Sequence, residues 1–160
     1  MGRDRWEARL IMKVGAPNHA GVFSAMEVAA SGLSAERSRM NITAGNLANA
    51  RTTRTAEGGP YKRLDPVFEA QALNPTSHDA VLRKVETVRL AEVRPDQTPG
   101  QMVYEPGHPD ANTEGYVEYP NVNTVTEMVN MMTASRAYEA GVTSIESLKA
   151  MARAALKIGK

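Results

Sequence analysis

A proline-free stretch from Thr124 to about Lys157 constrains the fold more than any other part of the chain. Apolar or small side chains recur in it every three or four residues, which places them on one side of an α-helix. At a rise of about 1.5 Å per residue, this helix is roughly 50 Å long, more than one small domain covers. The stripe consists of Met128, Met131, Ser135, Tyr138, Val142, Ile145, Leu148 and Ala152, with Val125 and Ala155 at its ends.

Both ends of this helix carry boundary signals. Thr124 and Glu127 have the spacing of a capping box, in which each side chain bonds to the backbone N–H of the other residue. At the other end, Lys157 suits the negative end of the helix dipole, and Gly159 readily adopts the left-handed conformation that ends helices. We therefore predict a C-terminal helix within 124–160.

A second helix is predicted over about 25–48. Ser24 and Glu27 form another candidate capping box at its start. Its seam alternates four- and three-residue steps, which is typical of paired helices. The seam positions are Met26, Ala30, Leu33, Met40, Ala44 and Leu47. Gly32 and Gly45 lie inside this helix at a cost of roughly 1 kcal/mol each relative to Ala, so we expect another backbone close to them.

The segment 51–123 combines turn residues with short alternating runs, which predicts a small, partly open β region of three or four strands. The fold class is therefore α+β, with long N- and C-terminal helices packed as a coiled-coil-like pair and a small irregular β insertion between them. The predicted strands lie within 61–71, 81–93, 102–104 and 115–120. The predicted parts are an N-terminal extension (1–22), an N-terminal helix (23–50), the insertion (51–123) and a C-terminal helix (124–160).

The first 22 residues hold a separate pattern. Trp6, Leu10 and Val14 recur at four-residue spacing, and Pro17 then interrupts the pattern. We interpret this extension as a poorly ordered arm or as an over-long start of the chain, and the alternative is a short helix that docks on a neighbour. Its apolar run is shorter than the 7 or so residues that a cleavable signal peptide needs.

Composition narrows the possible functions. The chain has no cysteine, which excludes disulfides and thiolate chemistry. Its net charge of +1 does not favour a nucleic-acid partner. No apolar run approaches the roughly 18 residues of a membrane span, so we expect no direct membrane span.

The sequence offers little for catalysis. His19, His78 and His108 lie far apart in predicted loops, whereas a metal site needs three or four converging ligands. His108 and Asp110 are a conceivable acid–base pair of a hydrolase, but the prolines and glycine around them favour a rigid turn. We therefore predict no catalytic residue, no metal, no cofactor and no enzymatic activity.

The two predicted helices leave apolar surface uncovered, because pairing along one seam buries only one face of each. Exposed apolar rows on helices mark association sites, so we expect a subunit that copies or relatives complete. The alternative is a free-standing helical adaptor or export-linked binding protein that never polymerises. Arg37, Arg39 and Arg136 are either solvent-exposed or paired between subunits with Glu27, Glu36, Glu127, Glu139 or Glu146.

Several motifs together resemble the axial proteins of the bacterial flagellum, the rod and hook family, over about 23–160. The motif shared across that family is Asn46-Leu47-Ala48-Asn49. Two further motifs resemble the proximal-rod members, namely Pro106-Gly107-His108-Pro109-Asp110 and the segment 115–123. Family members usually begin near Phe23, so 1–22 is an addition, and Gly45 stands where the family often has Asn or Ser.

The resemblance implies a non-enzymatic, structural subunit of the proximal rod. Terminal helices of such subunits stack into concentric tubes around a channel, and the rod carries torque from the motor. The implied partners are other copies of the chain, other proximal and distal rod proteins, the rod-base adaptor and the flagellar type III export apparatus. The implied location is the basal-body rod in the periplasmic space, reached without a cleavable signal peptide.

Overall fold

The computed structural model describes residues 19–76 and 82–158. Two long helices frame this part of the chain: α1, His19–Ala48 with 30 residues, and α2, Thr124–Ile158 with 35 residues. The prediction of two long terminal helices is therefore confirmed. Of the predicted extension over 1–22, residues 1–18 lie outside the described residues and 19–22 belong to α1. The proposed division into four parts stays a prediction.

The two helices pack side by side and run antiparallel. Near one end, the Asn46 side chain of α1 donates a hydrogen bond to Glu127 of α2 at 3.1 Å. Farther along, a Cβ built on Gly141 of α2 would lie 2.7 Å from the Cδ2 of Leu33 on α1. Moving thirteen residues back along α1 thus corresponds to moving fourteen residues forward along α2. This register confirms the predicted helix pair.

The predicted capping boxes are wrong at both helix starts. The Asn123 side chain accepts the backbone N–H of Thr126 at 3.1 Å, so Asn123 caps α2 in place of Thr124. The Glu127 carboxylate is not free to cap, because Arg63 and Asn46 bind it. Ser24 cannot cap α1, because α1 begins five residues earlier, at His19. Ser24 is instead a buried residue inside the helix, 8% exposed.

The insertion consists of two small antiparallel sheets, each with two strands. The strands are β1 (Leu64–Ala72), β2 (Glu86–Pro95), β3 (Gln101–Tyr104) and β4 (Tyr116–Tyr119), with β1 paired to β2 and β3 to β4. The β1–β2 register shifts after Val67, next to Pro66, which has no N–H to donate to the ladder. The predicted α+β class with a β insertion is confirmed.

The first sheet rests on α1. The backbone N–H of Val88 donates to the Ser31 hydroxyl at 3.1 Å, and the Arg39 guanidinium lies 5.4 Å from the ring centroid of Phe68. Few hydrophobic side chains are enclosed, however. Val117 and Ala134 are the buried hydrophobic residues of the described chain, apart from Pro120 in the turn before α2. The described fold therefore has a very small apolar interior.

Candidate functional site

Four polar side chains meet where the insertion joins the helices, in a cluster that we call the polar junction: Asn46, Tyr61, Arg63 and Glu127. Asn46 is 1% exposed and sits at its centre. Its amide donates to the Leu64 carbonyl at 2.9 Å and to Glu127 at 3.1 Å. Its oxygen accepts the Leu64 N–H at 2.9 Å and the Tyr61 hydroxyl at 3.0 Å. One side chain thus ties α1 to the start of β1 and to α2.

Glu127 brings a buried carboxylate into this junction. It is 1% exposed, and Arg63 Nε donates to its Oε1 at 2.8 Å. Arg63 also reaches Asp65 at 2.6 Å and lies 4.0 Å from Asp96. Asn121 accepts the backbone N–H of Arg63 at 2.8 Å. A buried charge is tolerated only when it is paired and hydrogen-bonded, so this arrangement fixes the position of the insertion relative to the helices.

The junction shifts the pKa values of two of its members. Burial lowers the pKa of Arg63, but the hydrogen bond and charge of Glu127, with Asp65, outweigh it and raise the pKa above the ordinary arginine value. Burial, followed by the negative charge of Glu127, raises the pKa of the Tyr61 hydroxyl. Both residues therefore keep the protonated form that donates within the junction.

We expect Tyr61→Phe to lower stability by about 1 kcal/mol near neutral pH, because a half-buried hydrogen bond to Asn46 is lost. Since the folded-state pKa of Tyr61 is raised, its contribution is fully present below the ordinary tyrosine pKa of about 10 and is lost as pH rises through the folded value. Urea unfolding from neutral to alkaline pH measures this. The two proteins should converge above pH 10, and a constant difference would contradict the assignment.

The second asparagine of the Asn-Leu-Ala-Asn motif ends α1. The Asn49 side chain donates to the carbonyl of Gly45 at 2.9 Å, and its oxygen accepts the Thr52 hydroxyl at 3.2 Å. The backbone N–H of Asn49 donates to the same Gly45 carbonyl at 3.1 Å, so Asn49 holds the last turn of the helix through both its backbone and its side chain. Leu47 is half-buried and Ala48 is exposed. The two asparagines are therefore structural, since both hold the chain where it leaves α1.

The Pro106–Asp110 motif forms a turn between β3 and β4. The His108 Nδ1 accepts the backbone N–H of Asp110 at 3.1 Å, and Asp110 accepts the hydroxyl of Thr53 at 2.8 Å. Arg54 lies 3.7 Å from the same carboxylate. Through Asp110, these contacts link the turn to the segment after α1. The hydrogen bond of His108 lies within the turn, so His108 has a structural role in the loop. Among the described residues, no three His, Asp or Glu side chains converge as metal ligands.

The predicted packing residues fall into two groups. Half-buried between the elements are Met26, Leu33, Met40, Leu47, Met131, Ser135, Tyr138, Val142, Ile145, Leu148 and Ala152. Ala30, Ala44 and Met128 are exposed. The part that both groups play in assembly stays a prediction. We expected a second backbone close to Gly32 and Gly45, but a Cβ built on either glycine would meet nothing within 4 Å among the described residues.

The outer side of α2 carries an apolar row, which we call the outer stripe. It consists of Val125, Met128, Val129 and Met132, which are 69%, 50%, 51% and 55% exposed. Their spacing puts them on adjoining turns of one helix face, opposite the buried Glu127. A contiguous row of this kind is typical of an association surface, and nothing in the described chain covers it.

Arg63 and Tyr61 were not predicted from the sequence as site residues, and Glu127 was wrongly predicted as a helix cap. No local pattern marks them, because their partners are 64 and 15 residues away. Asn46 was singled out only through the family motif. Arg39 and Glu127 were candidates for pairing between subunits, but they pair within the chain, Arg39 with Glu36 at 3.7 Å and Glu127 with Arg63.

Two families of known proteins match the two ends of the chain. A model described as "Flagella basal body rod protein" matches residues 26–54, which contain most of α1 and Asn46 of the polar junction. A model described as "Flagellar basal body rod FlgEFG protein C-terminal" matches residues 113–158, which contain α2 and Glu127. The class of protein is therefore a flagellar basal-body rod protein.

Individual relatives show to which family of rod proteins the chain belongs. The chain is 43% identical to the flagellar basal-body rod protein FlgC of Borreliella burgdorferi, over 86% of this chain and 97% of that protein. It is 37% identical to FlgC of Escherichia coli, over 87% and 98%, and 36% identical to FlgC of Bacillus subtilis, over 86% and 98%. The chain belongs to the FlgC family of flagellar basal-body rod proteins. It is a structural subunit of the flagellar basal-body rod.

Proposed function

We propose that this subunit belongs to the proximal part of the rod and assembles there through outward faces of its two terminal helices. Its neighbours are other copies of itself, other proximal and distal rod proteins and the rod-base adaptor. The assembled tube transmits torque for motility. The observation that supports this most is the outer stripe, since four adjoining apolar residues remain exposed on a chain with a very small apolar interior.

Exposed charged residues on the two helices determine which face of one subunit contacts which face of the next. Arg37 on α1 and Arg136, Glu139 and Glu146 on α2 are exposed and form no ion pair among the described residues. Arg37 of one copy and the two glutamates of another carry opposite charges, which favours a contact between different faces of two subunits. A contact between different faces generates rings or open helical assemblies, as a tube requires.

The remaining parts of the proposal concern location and chemistry. The subunit reaches the periplasmic portion of the rod through the flagellar type III export apparatus, without a cleavable signal peptide, and has no catalytic role. The roles of Asn46, His108 and Asp110 in hydrogen bonds of turns and helix ends support a structural function for the family motifs. Within residues 19–76 and 82–158, neither helix is long and apolar enough to cross a membrane.

The double variant Met128→Asp with Met132→Asp tests the outer stripe. Burying two carboxylates in an apolar contact is costly, so we expect the concentration needed for assembly to rise at least about tenfold. Both side chains are at least half exposed, so the helicity of the isolated subunit should not change. Sedimentation and light scattering over a concentration range, with circular dichroism on the same samples, measure the two quantities.

Met102→Asp is the matched control. Met102 is 54% exposed but lies on β3, away from the helices, so assembly should be retained. Assembly of the double variant at the unsubstituted concentration would refute a role for the outer stripe. Failure of the unsubstituted chain to assemble at any concentration, alone or with other rod proteins, would favour the non-polymerising adaptor.

A further inference from the structure

The sheet formed by β3 and β4 has one buried side and one exposed side. Val117 lies on the buried side and is 1% exposed. The strands pair Met102 with Glu118 and Tyr104 with Tyr116, so these four side chains share the opposite side, which we call the sheet face. Met102, Tyr104 and Tyr116 are 54%, 63% and 40% exposed, and Glu118 is exposed too. Three large apolar side chains together on one small sheet are typical of a docking surface.

The surroundings of the sheet face are acidic. Residues 100–123 contain four carboxylates and no lysine or arginine. The Asp110 carboxylate lies 3.7 Å from Arg54. Glu114 and Glu118, in contrast, are exposed and form no ion pair among the described residues. The uncompensated charge beside the sheet face is therefore negative, and a partner that brings cations fits it.

The last turns of α2 have the complementary composition. Residues 147–158 contain three cations and no Asp or Glu. Lys149, Arg153 and Lys157 recur every four residues, so they lie along one side of the helix, and all three are exposed. Leu156 lies three residues after Arg153 and seven after Lys149, hence on the same side, and is 64% exposed. We call these four residues the basic end, since they combine positive charge with an exposed apolar side chain.

The sheet face and the basic end lie at opposite ends of one subunit. The sheet is held near the start of α2, because β4 ends at Tyr119 and α2 begins at Thr124. Arg153 lies twenty-nine residues farther along α2. At about 1.5 Å per residue this is a distance of roughly 40 Å, so the two surfaces do not meet within one chain. Complementary surfaces placed in this way favour a contact between two copies.

We propose that the basic end of α2 of one copy docks on the sheet face of the next copy. This inference rests on the proposed assembly of copies and names one contact within it. A cleft of about 510 Å³ beside the sheet face is lined in part by Met102, Tyr116 and Glu118. It admits a lysine whose alkyl stem lies on the apolar side chains while its ammonium group meets the carboxylate. Because the contact joins two different surfaces, it repeats head to tail and gives an open assembly.

Charge reversal on both surfaces tests this contact. Glu114→Lys with Glu118→Lys makes the sheet face repel the basic end, and Arg153→Glu with Lys157→Glu does the same from the helix. We expect each double variant to raise the concentration needed for assembly at least about tenfold, because like charges replace opposite charges. An equimolar mixture of the two should assemble near the unsubstituted concentration, since each reversed surface then meets a reversed partner. Sedimentation over a concentration range measures assembly, and circular dichroism on the same samples checks the fold.

Glu86→Lys with Glu92→Lys is the matched control. Both glutamates are exposed on β2, in the other sheet, and the change in net charge equals that of the sheet-face variant, so assembly should be retained. Met102→Asp adds a carboxylate that suits a basic partner, so it should keep the contact as well.

The outcomes separate this contact from the proposed function. Charge reversals that leave assembly unchanged, while Met128→Asp with Met132→Asp weakens it, would overturn the contact and leave the proposed function intact. Weakened assembly that mixing does not restore would also overturn it, in favour of another rod protein as the occupant. Failure of the unsubstituted chain to assemble at any concentration would overturn both.

Discussion

Arg63→Met lowers the stability of the isolated subunit by about 3 kcal/mol, the largest loss we expect from one side chain. Met keeps much of the packing volume but leaves the carboxylate of Glu127, which is 1% exposed, without its cationic partner. Breaking a buried ion pair by removing one partner costs roughly 3–5 kcal/mol. The lower end applies because the Arg63 side chain is 23% exposed and water reaches it. Urea unfolding followed by circular dichroism measures the change.

Glu127→Gln provides the decisive comparison, because glutamine removes the charge and can still accept the Asn46 amide. In the Arg63→Met background, Glu127→Gln should restore about half of the lost stability, since no unpaired charge remains buried. Arg89→Met is the matched control at an exposed pair with Glu69, where we expect a change of at most about 1 kcal/mol. Equal losses for Arg63→Met and Arg89→Met, or no restoration by Glu127→Gln, would contradict the proposed role of the junction.

Gly141→Val lowers stability by about 2 kcal/mol, because the Leu33 side chain of α1 packs directly against α2 at this residue. A Cβ at position 141 would lie 2.7 Å from Cδ2 and 3.2 Å from Cγ of Leu33, which is closer than carbon atoms pack. The branched side chain of valine adds two further carbons at the same place. Overpacking of this kind typically costs 1–3 kcal/mol, more than the gain in helix propensity over glycine. Thermal or urea unfolding of the purified subunit measures it.

The same substitution at Gly32 is the control. A Cβ built on Gly32 would meet nothing within 4 Å among the described residues, so Gly32→Val should be neutral or slightly stabilising in the isolated subunit. Leu33→Ala should partly relieve Gly141→Val, because it removes the atoms that the new side chain meets. A Gly141→Val variant as stable as Gly32→Val would show that the helices do not approach each other at Leu33.

The sequence predicted the two helices and the β insertion because their signals are long or local. Over thirty residues, an uninterrupted three- and four-residue period has few other solutions. The insertion followed from turn residues and short alternating runs. The helix ends were less predictable, because Asn123 and Thr124 are both good cap residues. The choice between them depended on Glu127, which Arg63 binds from 64 residues away.

The inward faces of the helices were predicted less well, because part of that interior is polar. Thr43, Asn46 and Glu127 are buried, whereas the apolar residues Ala44 and Met128 beside them are exposed. A hydrophobic pattern predicts that the three polar residues face outward and that Ala44 and Met128 face inward. The structure shows the reverse. Only the long-range pairing of Asn46, Arg63 and Glu127 makes a polar interior favourable, and spacing along the chain does not reveal it.

By our proposal, this subunit has too little apolar interior of its own and is completed by neighbouring subunits. Hydrogen–deuterium exchange of the isolated subunit and of the assembled rod, compared peptide by peptide, tests it most directly. We predict that 124–133, which contains the outer stripe, exchanges readily in the isolated subunit and becomes at least about tenfold more protected on assembly. Equal protection of both helices in the two states would contradict the claim.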